Sequence, residues 1–339
     1  MTRKTVLVLI PILCSISITI AAQDRSSLWQ IHNYAGQEAM SKRQYEEAER
    51  HFEQALKEAE YFAARDHRLI LSIDNLARSR HFQKKYVEAE ALYLRALALQ
   101  EAMYGPEHQS IASRLIDLSE FYYSQPERKT EAEPLMIRAL KIQEKVLGPD
   151  SPQLSFTLIQ LGYWYGLSGR DSEAEPLLLR ALSIQEKVYG KEAPVLNTGL
   201  TYLAAVRMRQ GRQGEVEALY QQVQEVLEKA IVSKGTKTST GPVAISKDEE
   251  RLQNARGYAA RLRNLTGFYI AQRRYDEAEA QYQHALKVLE QEFGPSHFSV
   301  GMVLESYTTL LRRTNRLAEA EKMEARVKAI KETTNNTKN

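Results

Sequence analysis

The amino-acid sequence predicts an all-α protein made of repeated helix-turn-helix units. Ala, Leu, Glu, Gln, Arg and Lys dominate the 339 residues, and only 16 glycines and 10 prolines interrupt them, a balance that favours long helices. A Glu-Ala-Glu pattern recurs along the chain, and the residues around it are small or apolar at steps of three and four. The 43% apolar and 26% charged content is typical of folded soluble proteins and excludes wholesale disorder.

The first 22 residues have the three-part pattern of a secretory signal peptide. Met1–Lys4 supply a positive start, Thr5–Ile20 form an apolar stretch of 16 residues, and Ala21 and Ala22 are small residues suited to cleavage. We therefore predict export to a bacterial periplasm or the medium. The alternative is an uncleaved N-terminal anchor, because 16 apolar residues lie at the lower edge of what spans a bilayer.

Cys14, the only cysteine, lies inside this apolar stretch. Leu13 precedes it where a bacterial lipoprotein signal requires a small residue, so we expect no lipid on Cys14. Cleavage of the segment leaves a chain without a thiol, which excludes disulfides, cysteine nucleophiles and cysteine-based zinc sites. The fold must then be held by burial alone.

The Glu-Ala-Glu pattern defines seven units, and Ala-Leu follows it in most of them. The steps between its centres are 41, 43, 42, 42, 62 and 42 residues, a regularity that predicts an array of two-helix units. The centres are Ala48, Ala89, Ala132, Ala174, Val216, Ala278 and Ala320. We assign five units to residues 27–231 and two to residues 251–331.

Each predicted first helix has a small residue directly after its central apolar position. We interpret these residues as places where two helix backbones approach closely, without any chemistry of their own. They are Gly36, Ala77, Ser119, Gly162, Ala204, Thr266 and Thr308.

Turns that begin with glycine separate the units, because glycine is expected to end a helix in a left-handed cap and the proline that follows cannot continue it. They begin at Gly105, Gly148, Gly190 and Gly294. His108 and His297 lie in two of these turns and share no metal-ligand spacing, so we interpret them as turn residues.

These units resemble the tetratricopeptide repeat, and the 42-residue version with Arg-Ala-Leu-x-Ile-x-Glu and a Gly-Pro turn resembles its kinesin-light-chain-like subclass. The closest matches to this pattern are Arg95–Glu101, Arg138–Glu144 and Arg180–Glu186. Val216 and His32 depart from it. The resemblance covers residues 27–331 and implies a right-handed α-α superhelix of about seven units that binds a protein or peptide on its concave surface. It does not identify the partner.

Residues 232–250 explain the one long step, which exceeds the 42-residue period by 20. Their Gly, Ser, Thr and Lys content predicts a flexible exposed loop, either a tolerated insertion or a lid over a ligand. Ser246 and Glu249 have the spacing of a capping box that restarts a helix. Residues 332–339 are polar and predicted to be a disordered tail.

The sequence contains no motif that indicates catalysis. It has no Gly-rich phosphate loop, no Gly-x-Ser-x-Gly elbow and no His-Glu-x-x-His zinc pair. The paired glutamates belong to the repeat, where we expect solvated helix starts. The formal charge of +3 falls to +1 without Arg3 and Lys4, which argues against nucleic acid as a partner. We predict a non-enzymatic protein with no cofactor, metal or small-molecule substrate.

In stacked helix pairs the first helices line the inner curve, so their free faces are the predicted binding surface. We hypothesise that this surface binds an extended peptide with an apolar anchor flanked by acids, on aromatic residues with arginines on both sides. The candidate residues are Asn33, Arg78, His81, Glu120, Tyr123, Phe156, Ile159, Tyr163, Arg209 and Arg263, and Thr201 is expected on the same face. The predicted function is an exported protein-interaction adaptor. The alternative is a structural subunit of an envelope complex, tethered to the membrane through residues 1–22.

Overall fold

The computed structural model describes residues 24–62, 66–232 and 246–336. In these ranges the chain forms fourteen α-helices and no strand, which confirms the all-α prediction. The predicted signal peptide, most of the predicted loop and residues 337–339 of the predicted tail lie outside the described residues. Residues 332–336, also predicted to be disordered, form the end of the last helix instead.

Apart from residues 233–246, which separate α10 from α11, the connections between helices are short, and two of them contain a 3₁₀ turn, at Pro126–Arg128 and Pro194–Leu196. The helices are α1 (24–41), α2 (Tyr45–Ala59), α3 (His67–Phe82), α4 (Tyr86–Tyr104), α5 (Gln109–Tyr123), α6 (Lys129–Leu147), α7 (Pro152–Leu167), α8 (Asp171–Tyr189), α9 (Asn197–Arg209), α10 (Gln213–Val232), α11 (Lys247–Ala271), α12 (Tyr275–Phe293), α13 (Phe298–Arg313) and α14 (Leu317–Asn336).

The helices form seven consecutive pairs, as the repeat predicts. The odd-numbered helix of each pair carries the small residue, and Glu-Ala-Glu lies in the first turns of the even-numbered helix. The chain divides into two compact bodies, residues 1–149 with α1–α6 and residues 150–339 with α7–α14. Within each body, consecutive helices pack against one another.

The small residues mark close helix contacts, which confirms their interpretation. In body one, a Cβ atom on Gly36 would lie 2.4 Å from the Phe52 ring. In body two, a Cβ atom on Gly162 would lie 2.8 Å from Cγ of Leu178, a side chain that is fully buried. Such distances leave no room for a methyl group unless a helix moves.

The glycines between units have backbone angles that other residues rarely adopt. Gly105 has φ 85° and ψ 158°, and Gly294 has φ 86° and ψ 160°. Their positive φ confirms the need for glycine. Their ψ lies outside the left-handed helical region, so the predicted left-handed cap is replaced by a more extended turn.

Side chains after these turns cap the next helix. His108 Nδ1 accepts a hydrogen bond from the Ser110 amide at 3.2 Å, and His297 Nδ1 accepts one from the Ser299 amide at 3.3 Å. Ser246 Oγ likewise accepts one from the Glu249 amide at 3.2 Å and starts α11. The two histidines are therefore turn residues, as predicted.

The described helices include none whose length and apolar character suit a passage through a lipid bilayer.

Candidate protein-binding surface

In five of the seven units, the second glutamate of the Glu-Ala-Glu pattern pairs with a basic residue of the following unit, which corrects the expectation of a solvated helix start. In body two, Glu217 accepts hydrogen bonds from Arg274 at 2.8 and 3.0 Å and from the Tyr269 hydroxyl at 3.0 Å. Arg274 also donates to Glu277 in its own helix at 2.8 Å. The hydrogen bond from Arg274 holds the pKa of Glu217 below its usual value. The equivalent pairs are Glu49 with Lys85, Glu90 with Arg128, Glu175 with Arg212, and Glu279 with Arg316.

A second series of pairs joins the middle of α4, α6, α12 and α14 to the end of the preceding even-numbered helix. Arg95 and Arg138 belong to the Arg-Ala-Leu pattern, and His284 and Arg326 occupy the same place on α12 and α14. The pairs of this series are Arg95 with Glu60, Arg138 with Glu101, His284 with Glu228, and Arg326 with Glu290.

A third series joins lysines near helix ends to acids in the preceding turn. The pairs are Lys145 with Glu107, Lys187 with Asp150, and Lys229 with Glu192. We call the three series the unit clips, because each pair joins a unit of one body to the preceding unit or to the turn that follows that unit. The clips engage many of the charged side chains, which are therefore not free to bind a partner.

The predicted binding residues all lie on odd-numbered helices, and we call the free side of these helices in each body the first-helix surface. In body one, Asn33 is half-buried and its Oδ1 accepts a hydrogen bond from Asn75 Nδ2 at 2.9 Å. Arg78 is exposed and has no hydrogen-bond or ion-pair partner among the residues that the structure describes.

His81 and Tyr123 are partly enclosed by aromatic and polar neighbours. His81 Nε2 lies 3.1 Å from Ser124 Oγ, and its ring packs edge-on against Phe121 at 5.2 Å between centroids. Burial, and then the charge of Arg78, lower the pKa of His81 and so favour its neutral form. Tyr123 is half-buried, and Lys129 Nζ lies 5.1 Å from the centre of its ring.

Glu120 belongs to a cluster of acids and arginines between α3 and α5. Asp74 is 7% exposed, and its Oδ2 accepts a hydrogen bond from Arg114 Nη2. Arg114 Nη1 also donates to Asp117 at 3.3 Å. Asp74 Oδ1 is buried and has no hydrogen-bond partner within the described ranges. Glu120 lies one turn after Asp117 on α5 and is exposed.

The environment of this cluster disfavours negative charge. Burial raises the pKa of Asp74 to about 7, because it outweighs the attraction of Arg114. Burial also raises the pKa of Asp117, and burial together with the charge of Asp117 raises that of Glu120. The acids of the cluster therefore differ from those of the unit clips, where ion pairs lower the pKa.

In body two the first-helix surface is aromatic. Phe156 is 57% exposed, and Tyr163 stacks on Tyr202 of the next odd-numbered helix with 4.4 Å between ring centroids. Ile159 is only 5% exposed, and its Cδ1 would lie 3.5 Å from a Cβ atom on Gly199. Ile159 is therefore a core residue and is removed from the binding set, and Tyr202 replaces it.

The two candidate arginines of body two differ. Arg209 donates to Asp171 through Nη2 at 2.6 Å and through Nε at 3.0 Å, so its guanidinium is already paired. This ion pair corrects the prediction that Arg209 is free to bind an acidic residue of a partner. Arg263 is exposed and has no hydrogen-bond or ion-pair partner within the described ranges.

The described part of the chain has no group of three His, Cys, Asp or Glu side chains that could hold a metal ion. A surface cavity of about 520 Å³ lies between α13 and α14. Two ion pairs border it, Arg312 with Glu324 at 2.7 Å and Lys331 with Glu305 at 2.7 Å. These four charged side chains are thus paired across the cavity.

Comparison with known protein families agrees with this architecture. A model of the tetratricopeptide repeat matches residues 127–187 and 258–333, and a second model of the same repeat matches residues 69–110. Together they span just over half of the chain. The chain therefore belongs to the tetratricopeptide repeat family.

Solved structures with similar folds include kinesin-light-chain-like proteins. BtubC (BKLC) from P. vanneervenii has 18% sequence identity and a TM-score of 0.56, and the similarity covers 68% of this chain and 93% of that one. The TPR-like repeats of a Podosopora anserina protein of the kinesin light chain type have 22% identity and a TM-score of 0.49, with 68% and 98% covered. None of the curated protein sequences matches the chain.

Tetratricopeptide repeats are scaffolds for protein–protein interaction and are generally not enzymes. The family therefore supports a protein as the class of partner.

Proposed function

We propose that this protein is an exported, non-enzymatic adaptor that binds a segment of a partner protein on its first-helix surfaces. The observation that carries the proposal is the aromatic surface of body two. Phe156 is 57% exposed on α7, and Tyr163 of the same helix stacks on Tyr202 of α9, with neither tyrosine fully buried.

Large exposed aromatic side chains are common anchors of protein interfaces, because their burial removes much apolar area from water at a low cost in side-chain entropy. Phe156 and Tyr163 are seven residues apart on α7, which is about two helical turns. Both side chains can therefore contact one partner segment that runs along the helix.

Site-specific cross-linking tests where the partner binds. A photo-reactive phenylalanine analogue in place of Phe156 is expected to cross-link one discrete partner protein in cells that make this chain. The same analogue at Val188 of α8 is the matched control, because Val188 is also in body two and 46% exposed but lies on an even-numbered helix. The substitution Tyr163→Ala should reduce the Phe156 cross-link several-fold. Equal cross-linking from both positions contradicts the proposal.

The N-terminus of the isolated protein tests export. N-terminal sequencing is expected to find a soluble protein that begins at Ala22 or Gln23, because Ala21 and Ala22 are suited to signal peptidase. A chain that retains Thr5–Ile20 and sediments with membranes instead identifies the tethered structural subunit. We retain this alternative because the apolar stretch has 16 residues, which is at the lower edge of the length that spans a bilayer.

A further inference from the structure

The cluster between α3 and α5 of body one contains more acids than arginines. Asp74, Asp117 and Glu120 are its carboxyl groups, and Arg78 and Arg114 are its cations. Because burial raises the pKa of Asp74 to about 7, this carboxyl is only partly ionised at neutral pH, and the two or three negative charges of the cluster face two positive ones. The side chain of Asp117 is 53% exposed and Glu120 is exposed, so both carboxylates can be reached from solvent on the first-helix surface.

Asp74 gives an independent indication that this cluster lacks a cation. It is only 7% exposed, and only one of its two carboxylate oxygens has a hydrogen-bond donor within the described ranges. Arg114, the donor to that oxygen, is shared with Asp117. A buried carboxylate with an unpaired oxygen is costly, and a further positive charge nearby reduces that cost.

Arg78 does not compensate the cluster fully. It lies on α3 close enough for its charge to lower the pKa of Asp74, Asp117 and Glu120, yet it forms no hydrogen bond or ion pair with any of them among the described residues. Both Asp117 and Glu120 therefore keep oxygen atoms free for a donor from outside.

We propose that the partner protein places a lysine or arginine side chain between Asp117 and Glu120 of body one. This inference rests on the proposed function, since it specifies the chemistry of the segment bound there. A partner that covers these acids removes them from water, and a basic side chain offsets that loss through charge-assisted hydrogen bonds. An acidic segment would instead add negative charge to a cluster that already has more carboxyl groups than arginines.

The inference reverses the sequence-based hypothesis that arginines receive acidic residues of the partner. Arg209 is held by Asp171, and Arg78 is outnumbered by the acids around it. For body one, the structure favours a basic residue of the partner over an acidic one.

Titration of the full chain with trilysine and with triglutamate tests this inference. At constant ionic strength, trilysine is expected to shift the backbone amide NMR signals around Asp117 and Glu120, and triglutamate is not. The double variant D117N/E120Q should bind trilysine at least about five-fold more weakly, as expected for the loss of two charge-assisted contacts. E127Q is the matched control, because Glu127 is an exposed acid of the same body in the turn Pro126–Arg128, and it should bind like the wild type.

Charge reversal at Arg78 is expected to strengthen trilysine binding, a result that a folding defect would not produce. R78E should bind trilysine about three-fold more tightly, because the cluster then has one cation and four carboxyl groups instead of two cations and three carboxyl groups. Triglutamate binding at these amides, or trilysine binding that D117N/E120Q leaves unchanged, overturns the inference. The cross-link from Phe156 is read separately, so this failure is distinguishable from a failure of the proposed function.

Discussion

Replacing Gly162 with alanine is expected to lower the free energy of unfolding of body two by about 1–3 kcal/mol. The new Cβ atom would lie 2.8 Å from Cγ of Leu178 and 3.3 Å from the backbone oxygen of Ala174. Leu178 is fully buried, so it has no solvent-facing rotamer to adopt, and α7 must move away from α8. Urea unfolding followed by circular dichroism measures the loss.

Gly267→Ala is the matched control for Gly162→Ala. Gly267 is also inside an odd-numbered helix of body two, but it is exposed and a Cβ atom there would have no neighbour within 4 Å. Alanine should therefore stabilise α11 by about 0.5–1 kcal/mol, since glycine loses more backbone entropy in a helix. Opposite signs for the two variants support the close helix contact, and equal signs contradict it.

Replacing Glu175 with glutamine is expected to lower the free energy of unfolding by about 1–2 kcal/mol. Glu175 is a unit-clip acceptor with a side chain that is 17% exposed, and it receives hydrogen bonds from Arg207 at 3.1 Å and from Arg212 at 2.8 Å. Glutamine removes the charge that both guanidiniums share. Glu192→Gln is the matched control, because Glu192 pairs with Lys229 but is 70% exposed, and its loss should cost at most about 0.5 kcal/mol.

The pH dependence of the Glu175→Gln effect provides a second measurement. Burial alone would raise the pKa of Glu175, but hydrogen bonds from Gln210, Arg212 and Arg207 outweigh it and lower the pKa below 4.5. A carboxylate with a lowered pKa contributes its stability above the unfolded-state value, and that stability is lost as the pH falls through the folded-state value. The difference between wild type and variant should thus be constant above about pH 6 and shrink below about pH 4.5.

The fold was predictable because the repeat marks the same packing positions in every unit. The anchor alanines, the small residues and the glycine turns each recur with a period near 42, so seven helix pairs follow without any knowledge of long-range contacts. The extended conformation at Gly105 was not predictable, because a glycine specifies that φ can be positive and not which ψ the next turn requires.

The binding surface was predictable only to the level of the helix. Which side of α9 is free depends on how this helix packs against its neighbours. The sequence analysis expected Thr201 on the free side, whereas the structure places the next residue, Tyr202, there. Thr201 is 8% exposed and its hydroxyl donates to the Asn197 carbonyl at 2.7 Å, whereas Tyr202 is half-buried and stacks on Tyr163. Arg209 looked free because Asp171 is 38 residues away in the sequence.

The unit clips have a sequence signal that residue-by-residue inspection does not detect. A basic residue stands four positions before most anchor centres, and the clip arginines Arg274 and Arg316 are 42 residues apart. A charge that recurs with the same period as the core is structural more often than functional. The period of the charges, compared with the period of the anchor alanines, therefore distinguishes the clip arginines from arginines such as Arg78 that stand outside the repeat pattern.

The unit clips also bear on how such a chain changes length during evolution. In the clips that begin at Glu-Ala-Glu, the acid lies on one unit and its base on the following unit, so the loss or duplication of one whole period leaves each new pair of neighbours complementary. A deletion of half a period would instead bring two odd-numbered helices together in sequence and leave the acids unmatched. Gene rearrangement can therefore vary the number of modules at little energetic cost, provided that it conserves the phase of the repeat.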